Sequence, residues 1–133
     1  MTGHLFQSGF GSVVMDEDHL MTAARYVALN PVRARLVGRP EDWPWSSVRA
    51  HLDGRSDGLV DVTPLLDRAA GRFADLLDSE PEAGKLAALR AAEGTGRPLG
   101  SDAFLDRVAA LTGRNPRPGR PGRRRKARAG ADI

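Results

Sequence analysis

Apolar side chains recur at three- and four-residue intervals over much of the chain, a pattern that predicts helices joined by short turns. Leu20, Ala23, Ala24 and Val27 form one face of a helix capped by Asp16 or Asp18 and running to about Asn30, its acidic first turn suited to the helix dipole. Pro31 disrupts that helix, since the residue before a proline resists helical geometry, and a short helix restarts over 32–37 before Gly38. Residues 39–45 read as an irregular loop stapled by Trp43 and Trp45. Ser46 or Ser47 caps a short helix through Leu52, and 53–61 is a polar connector. Thr63 and Pro64 open a helix over 65–78 with Leu65, Leu66, Ala69, Phe73, Leu76 and Leu77 on one side. Pro81 precedes another helix carrying Leu86, Leu89 and Arg90 before Gly94. Ser101 caps a last one over 102–112, closed by Gly113. Only residues 4–15 depart from this period: Gly9 and Gly11 flank Phe10 ahead of Val13 and Val14, as in a bent, glycine-interrupted strand.

The expected class is therefore α+β, a predominantly helical chain with a short N-terminal strand. Its 133 residues suffice for one small domain, and with 5% aromatics the core must lean on Leu, Val and Ala. The absence of cysteine excludes a disulfide framework, a Cys-ligated zinc or iron–sulfur site and a thiol nucleophile. No stretch approaches the ~20 apolar residues of a membrane span and the start does not resemble a signal peptide, so a cytoplasmic protein with no membrane partner is expected.

The net charge of +3 hides an asymmetry. Residues 1–113 carry 12 basic and 16 acidic side chains, whereas residues 114–133 carry 8 basic side chains and only Asp132 against them. Such a segment points to a polyanion, and nucleic acid is favoured over membrane because no apolar residues are interleaved. Too few apolar groups are present over 114–131 to offset the entropy of ordering, so a disordered basic tail is expected at 114–133.

Candidate chemistry centres on Tyr26, the single tyrosine. Asn30 lies one helical turn later, on a polar stripe with Thr22 and, more loosely, His19 and Arg33. A phenol beside an amide can attack phosphorus when a cation assists it. The same spacing also describes a half-buried tyrosine whose hydroxyl reaches water.

The context is more specific. Arg-Tyr-Val-Ala-Leu-Asn-Pro-Val-Arg-Ala-Arg-Leu-Val over 25–37, followed by Glu-Asp-Trp-Pro-Trp-Ser-Ser-Val-Arg-Ala over 41–50, resembles the signature of the REP-associated-type tyrosine transposases, HUH-type enzymes acting on single-stranded DNA. Gly3-His4-Leu5-Phe6-Gln7 with Ser12, and Gly96-Arg97-Pro98-Leu99-Gly100-Ser101 before Phe104, extend the likeness over most of the chain. It implies a remnant of a ferredoxin-like HUH domain and DNA transesterification through a 5′-phosphotyrosine, aided by Mg2+ or another divalent metal. By the same resemblance Tyr26 matches the nucleophile and Asn30 a metal ligand, while Arg25, Arg33, Arg35 and Arg49 are DNA contacts. Arg120, Arg123, Arg124, Arg125 and Lys126 would add contacts from the tail.

Two departures stand out. The chain has no His-x-His pair, and Gly9 replaces the family's arginine. The expectation is an N-terminally truncated transposase: 1–55 the end of the catalytic domain, 56–113 a helical region and 114–133 the tail. Its partner would be single-stranded or hairpin DNA, bound as a monomer or homodimer. The alternatives are a non-catalytic nucleic-acid-binding remnant and a small helical interaction protein.

Overall fold

A computed structural model describes residues 11–80 and 83–119. Asp16 opens the first helix, α1 (Glu17–Ala28), by accepting the His19 backbone N–H at 3.1 Å. The chain passes through Leu29 directly into α2 (Asn30–Arg33), with Pro31 in its first turn. The first helix does end just ahead of Pro31, as expected, and Pro31 itself sits in the first turn of the next, where an N–H has no intrahelical partner to lose. The helix expected over 32–37 begins earlier and ends at Arg33, and the left-handed Arg35 (φ 58°) prevents its continuation.

A 3-10 turn at Pro40–Asp42 leads to α3 (Val48–Asp53), closed by left-handed Gly54. The single helix expected over 65–78 is two, α4 (Thr63–Arg68) and α5 (Phe73–Asp78). Ala70 (φ 50°) and Gly71 (φ 71°) reverse the chain between them, and the Gly71 N–H donates to the Leu66 carbonyl at 2.8 Å. Apolar periodicity alone could not show this reversal. It lets α5 pack against both α1 and α3. Two longer helices follow, α6 (Ala83–Glu93) against α1, and α7 (Asp102–Thr112) between its Ser101 cap and Gly113.

Ala28, Val48 and Phe73 form the centre of the core, with Leu65, Leu66, Leu76 and Leu77 packed around them. Burying a side chain such as Phe73 contributes about 1.5–3 kcal/mol. His51 is also buried, stacked on Phe73 with ring centroids 5.0 Å apart. Its Nδ1 lies 2.8 Å from the Ser47 carbonyl, and a proton donated there offsets the cost of burying the ring's polar edge.

The described residues are predominantly helical, and the expected N-terminal strand is reduced within them to one parallel bridge between Met15 and Leu99. The Leu99 N–H donates to the Val14 carbonyl and the Asp16 N–H to the Leu99 carbonyl, both at 2.9 Å. The groups next in register are engaged elsewhere: the Ser101 N–H goes to the Asp16 carboxylate, the Asp16 carbonyl takes the Leu20 N–H of α1, and the Arg97 N–H goes to the Thr95 hydroxyl. Residues 4–10 of the expected strand lie outside the described residues.

Asp16 reinforces this clasp. One carboxylate oxygen takes the His19 N–H and sits 2.6 Å from His19 Nδ1, while the other accepts the Ser101 N–H at 2.7 Å. Burial pushes the Asp16 carboxyl up, but the His19 side chain and the Ser101 and His19 amides outweigh it and hold the group below its ordinary value.

Candidate nucleic-acid interface

The helix that carries Tyr26 is oriented differently from its apolar pattern. Val27, expected on the buried face, is 65% exposed, whereas Thr22, Arg25, Tyr26 and Leu29 line the seam towards α6 and the turn before it. Thr22 and Tyr26 of the polar stripe therefore face the seam, while Asn30 stays outside it. Arginine and tyrosine can fill such a seam because their stems and rings are apolar and only their tips are polar.

Tyr26 is half-buried between guanidinium groups. Arg33 places its guanidinium carbon 4.4 Å from the ring centroid and Arg90, from α6, lies 5.7 Å away. Both lie within cation–π range. Beside the ring is a cavity of about 190 Å³ lined by Thr22, Arg25, Tyr26, Leu29 and Arg33, with Glu80 and Leu86 opposite. A second cavity of similar size shares Thr22, Arg25 and Glu80 and extends to Ser79 and Lys85. Arg25 belongs to both, and its Nε is buried with no hydrogen-bond partner among the described residues. Lys85 lies 3.6 Å from the Asp18 carboxylate, and the Thr22 hydroxyl donates to the Asp18 carbonyl.

This seam brings together Arg25, Tyr26 and Arg33 from the sequence-predicted set and leaves the others apart. Asn30 is exposed at the start of α2 and does not line the cavity. Arg35 is exposed on the turn after α2. Arg49 projects from α3 into another cleft and donates to the Glu41 carbonyl at 3.0 Å. Arg120, Arg123, Arg124, Arg125 and Lys126 lie outside the described residues. The residue missed in the sequence is Arg90. It sits one helical turn after Leu86, so a helix that turns Leu86 towards α1 brings Arg90 along the same face.

A divalent metal finds no matching donor set here. No group of three or more His, Cys, Asp or Glu side chains among the described residues is arranged to hold an ion, and Asn30 supplies one amide oxygen, short of the near-octahedral set that Mg2+ demands. His19 is engaged by Asp16, and His51 by Ser47 and Phe73. Compared with protein-family models, curated proteins and solved structures, the chain matches none.

Proposed function

We propose that this protein binds single-stranded or hairpin DNA in the manner of a tyrosine transposase, with a backbone phosphate held in the seam between α1 and α6. The observation that carries this reading is the buried Nε of Arg25, unpaired among the described residues, at a cavity that also contains Tyr26 and Arg33. An unsatisfied buried donor costs about 1–3 kcal/mol, and a charged one more, so an anion entering the seam would recover what the folded chain leaves unmade. Guanidinium groups suit that role because they bind phosphate oxygens in a forked geometry. The basic residues of 114–133 add sequence-independent attraction to the same polyanion.

The cleaving half of the reading rests on the resemblance of residues 25–37. Tyr26 Oη attacks phosphorus, the bond to the 3′ oxygen breaks, the phenolic proton ends on that oxygen, and a 5′-phosphotyrosine remains. Because the donor set does not fit a metal, no step is assigned to one.

Fluorescence anisotropy of the full chain with a labelled DNA hairpin tests binding, and a gel assay with Mg2+ tests cleavage. Arg25→Ala and Arg33→Ala should each weaken binding roughly tenfold, with a steep salt dependence retained from the tail. Tyr26→Phe should leave binding unchanged and abolish any cleavage. If both arginine variants fold and bind like the parent, the seam is not the DNA site.

A further inference from the structure

The Trp43-Pro44-Trp45 loop is the sequence motif that the Tyr26 seam does not use. In the folded chain the two tryptophans separate. Trp45 is 84% exposed, whereas Trp43 is half-buried and forms a wall of an open cleft of about 600 Å³, within the roughly 300–1,000 Å³ span of small-ligand sites. A staple for the loop would bury both rings. Only Trp43 is placed to do that, and it keeps part of its surface towards the cleft.

The other cleft residues are chemically specific. Arg49 and Arg55 line it with Asp53 and Asp57. The Arg49 guanidinium is steadied by donating to the Glu41 carbonyl at 3.0 Å, and an arginine has further N–H groups to offer. Asp57 is partly committed, since its Oδ1 accepts the Leu59 and Val60 N–H groups at 2.8 Å each, contacts that hold the carboxyl below its ordinary value. Asp53, which makes no side-chain hydrogen bond to another described residue, is the less engaged acceptor for a ligand.

We propose that this cleft is a nucleotide subsite in which one unpaired, amino-bearing base (cytosine, adenine or guanine) stacks on Trp43 while Arg49 and Arg55 hold the adjoining phosphate. An aromatic face takes any base, two guanidinium groups take a phosphate, and a carboxylate accepts from an exocyclic amine, which thymine lacks. The proposal rests on the DNA-binding reading for its biological ligand, but it concerns a different cleft from the Tyr26 seam.

The chain has only two tryptophans, so Trp45→Phe leaves Trp43 as the sole indole reporter. That full-length variant is titrated with deoxycytidine monophosphate, thymidine monophosphate and inorganic phosphate while Trp43 fluorescence is followed. The cytidine nucleotide should quench saturably, and inorganic phosphate should not. Arg49→Ala and Arg55→Ala should each weaken the apparent affinity roughly tenfold. Asp53→Asn should remove the preference for cytidine over thymidine. No saturable quenching by the cytidine nucleotide, or equal quenching by inorganic phosphate, overturns the subsite. Equal quenching by thymidine monophosphate overturns the amino-base assignment. Adding Arg25→Ala separates the two sites: quenching that persists supports an independent subsite even if hairpin binding fails, and quenching that disappears overturns it.

Discussion

Gly100→Ala would test whether α7 is seated by close packing at the clasp. Gly100 does not have a positive φ, so space, not backbone conformation, demands glycine there. A Cβ built at this position collides with Phe104 Cδ1 and lies 2.8 Å from Phe104 Cγ and 3.0 Å from the Asp16 carboxylate. The backbone N–H of Phe104 is held by the Ser101 cap, so its ring must swing away or residues 99–101 must lift from Asp16. Overpacking of this kind costs about 1–3 kcal/mol, and a weakened charge-assisted bond from the Ser101 N–H raises the total to about 2–4 kcal/mol. That is a large share of the ~5–15 kcal/mol that keeps a typical domain folded. At about 3–5 °C per kcal/mol for a chain of this size, the midpoint should fall by about 6–20 °C in thermal melts followed by circular dichroism. Gly94→Ala, whose Cβ would meet nothing within 4 Å, is the control and should melt at or slightly above the parent. Adding Phe104→Leu to Gly100→Ala should recover part of the loss, because the clash is with the ring. Coincident melts of Gly100→Ala and the parent would refute the packing argument.

Phe73→Ala removes the ring from the core centre and its stack on His51, and should cost about 3–5 kcal/mol in urea unfolding. Asp16 sets part of the acid limb of stability. Its folded-state carboxyl lies below the ordinary 3.8, so its stabilisation is complete above that value and lost as pH falls through the folded-state value. Asp16→Asn should flatten the decline in unfolding free energy between about pH 5 and pH 2 relative to the parent. Gly84→Ala, in open space near the start of α6, should raise stability by about 0.4–1 kcal/mol through the lower entropy of the unfolded chain.

Local signals in the sequence marked the start of α1 and both ends of α7 well, whereas neither Ser47 at α3 nor Thr63 at α4 makes a capping bond. Asp16 and Ser101 are caps because their side-chain oxygens reach the amides three residues on, and Gly113 closes α7 in the left-handed region. Other features were less legible. Gly71 was a local sign of the turn that divides 65–78, but the apolar periodicity that runs through it concealed the left-handed pair Ala70 and Gly71. The buried face of α1 depended on its neighbours. Its apolar stripe predicted Val27 inside, yet α6 packs on the side of Arg25 and Tyr26. Part of the candidate site was legible on one helix, as Tyr26 with Arg25 and the nearby Arg33. Its closure by Glu80, Leu86 and Arg90 was not, since those residues are more than fifty positions away.

The clasp also orders events in time. Asp16 and Ser101 are 85 residues apart, whereas each helix closes its own hydrogen bonds within a few residues. Joining ends so distant has a loop-closure cost that is met only once the intervening helices have shortened the path. α7 contributes no residue to the cluster of Ala28, Val48 and Phe73, so it can detach while that cluster stays closed. The clasp is therefore expected to form late and to open before the core. In native-state hydrogen exchange, the Leu99 and Ser101 amides should lose protection together and well before those of α5.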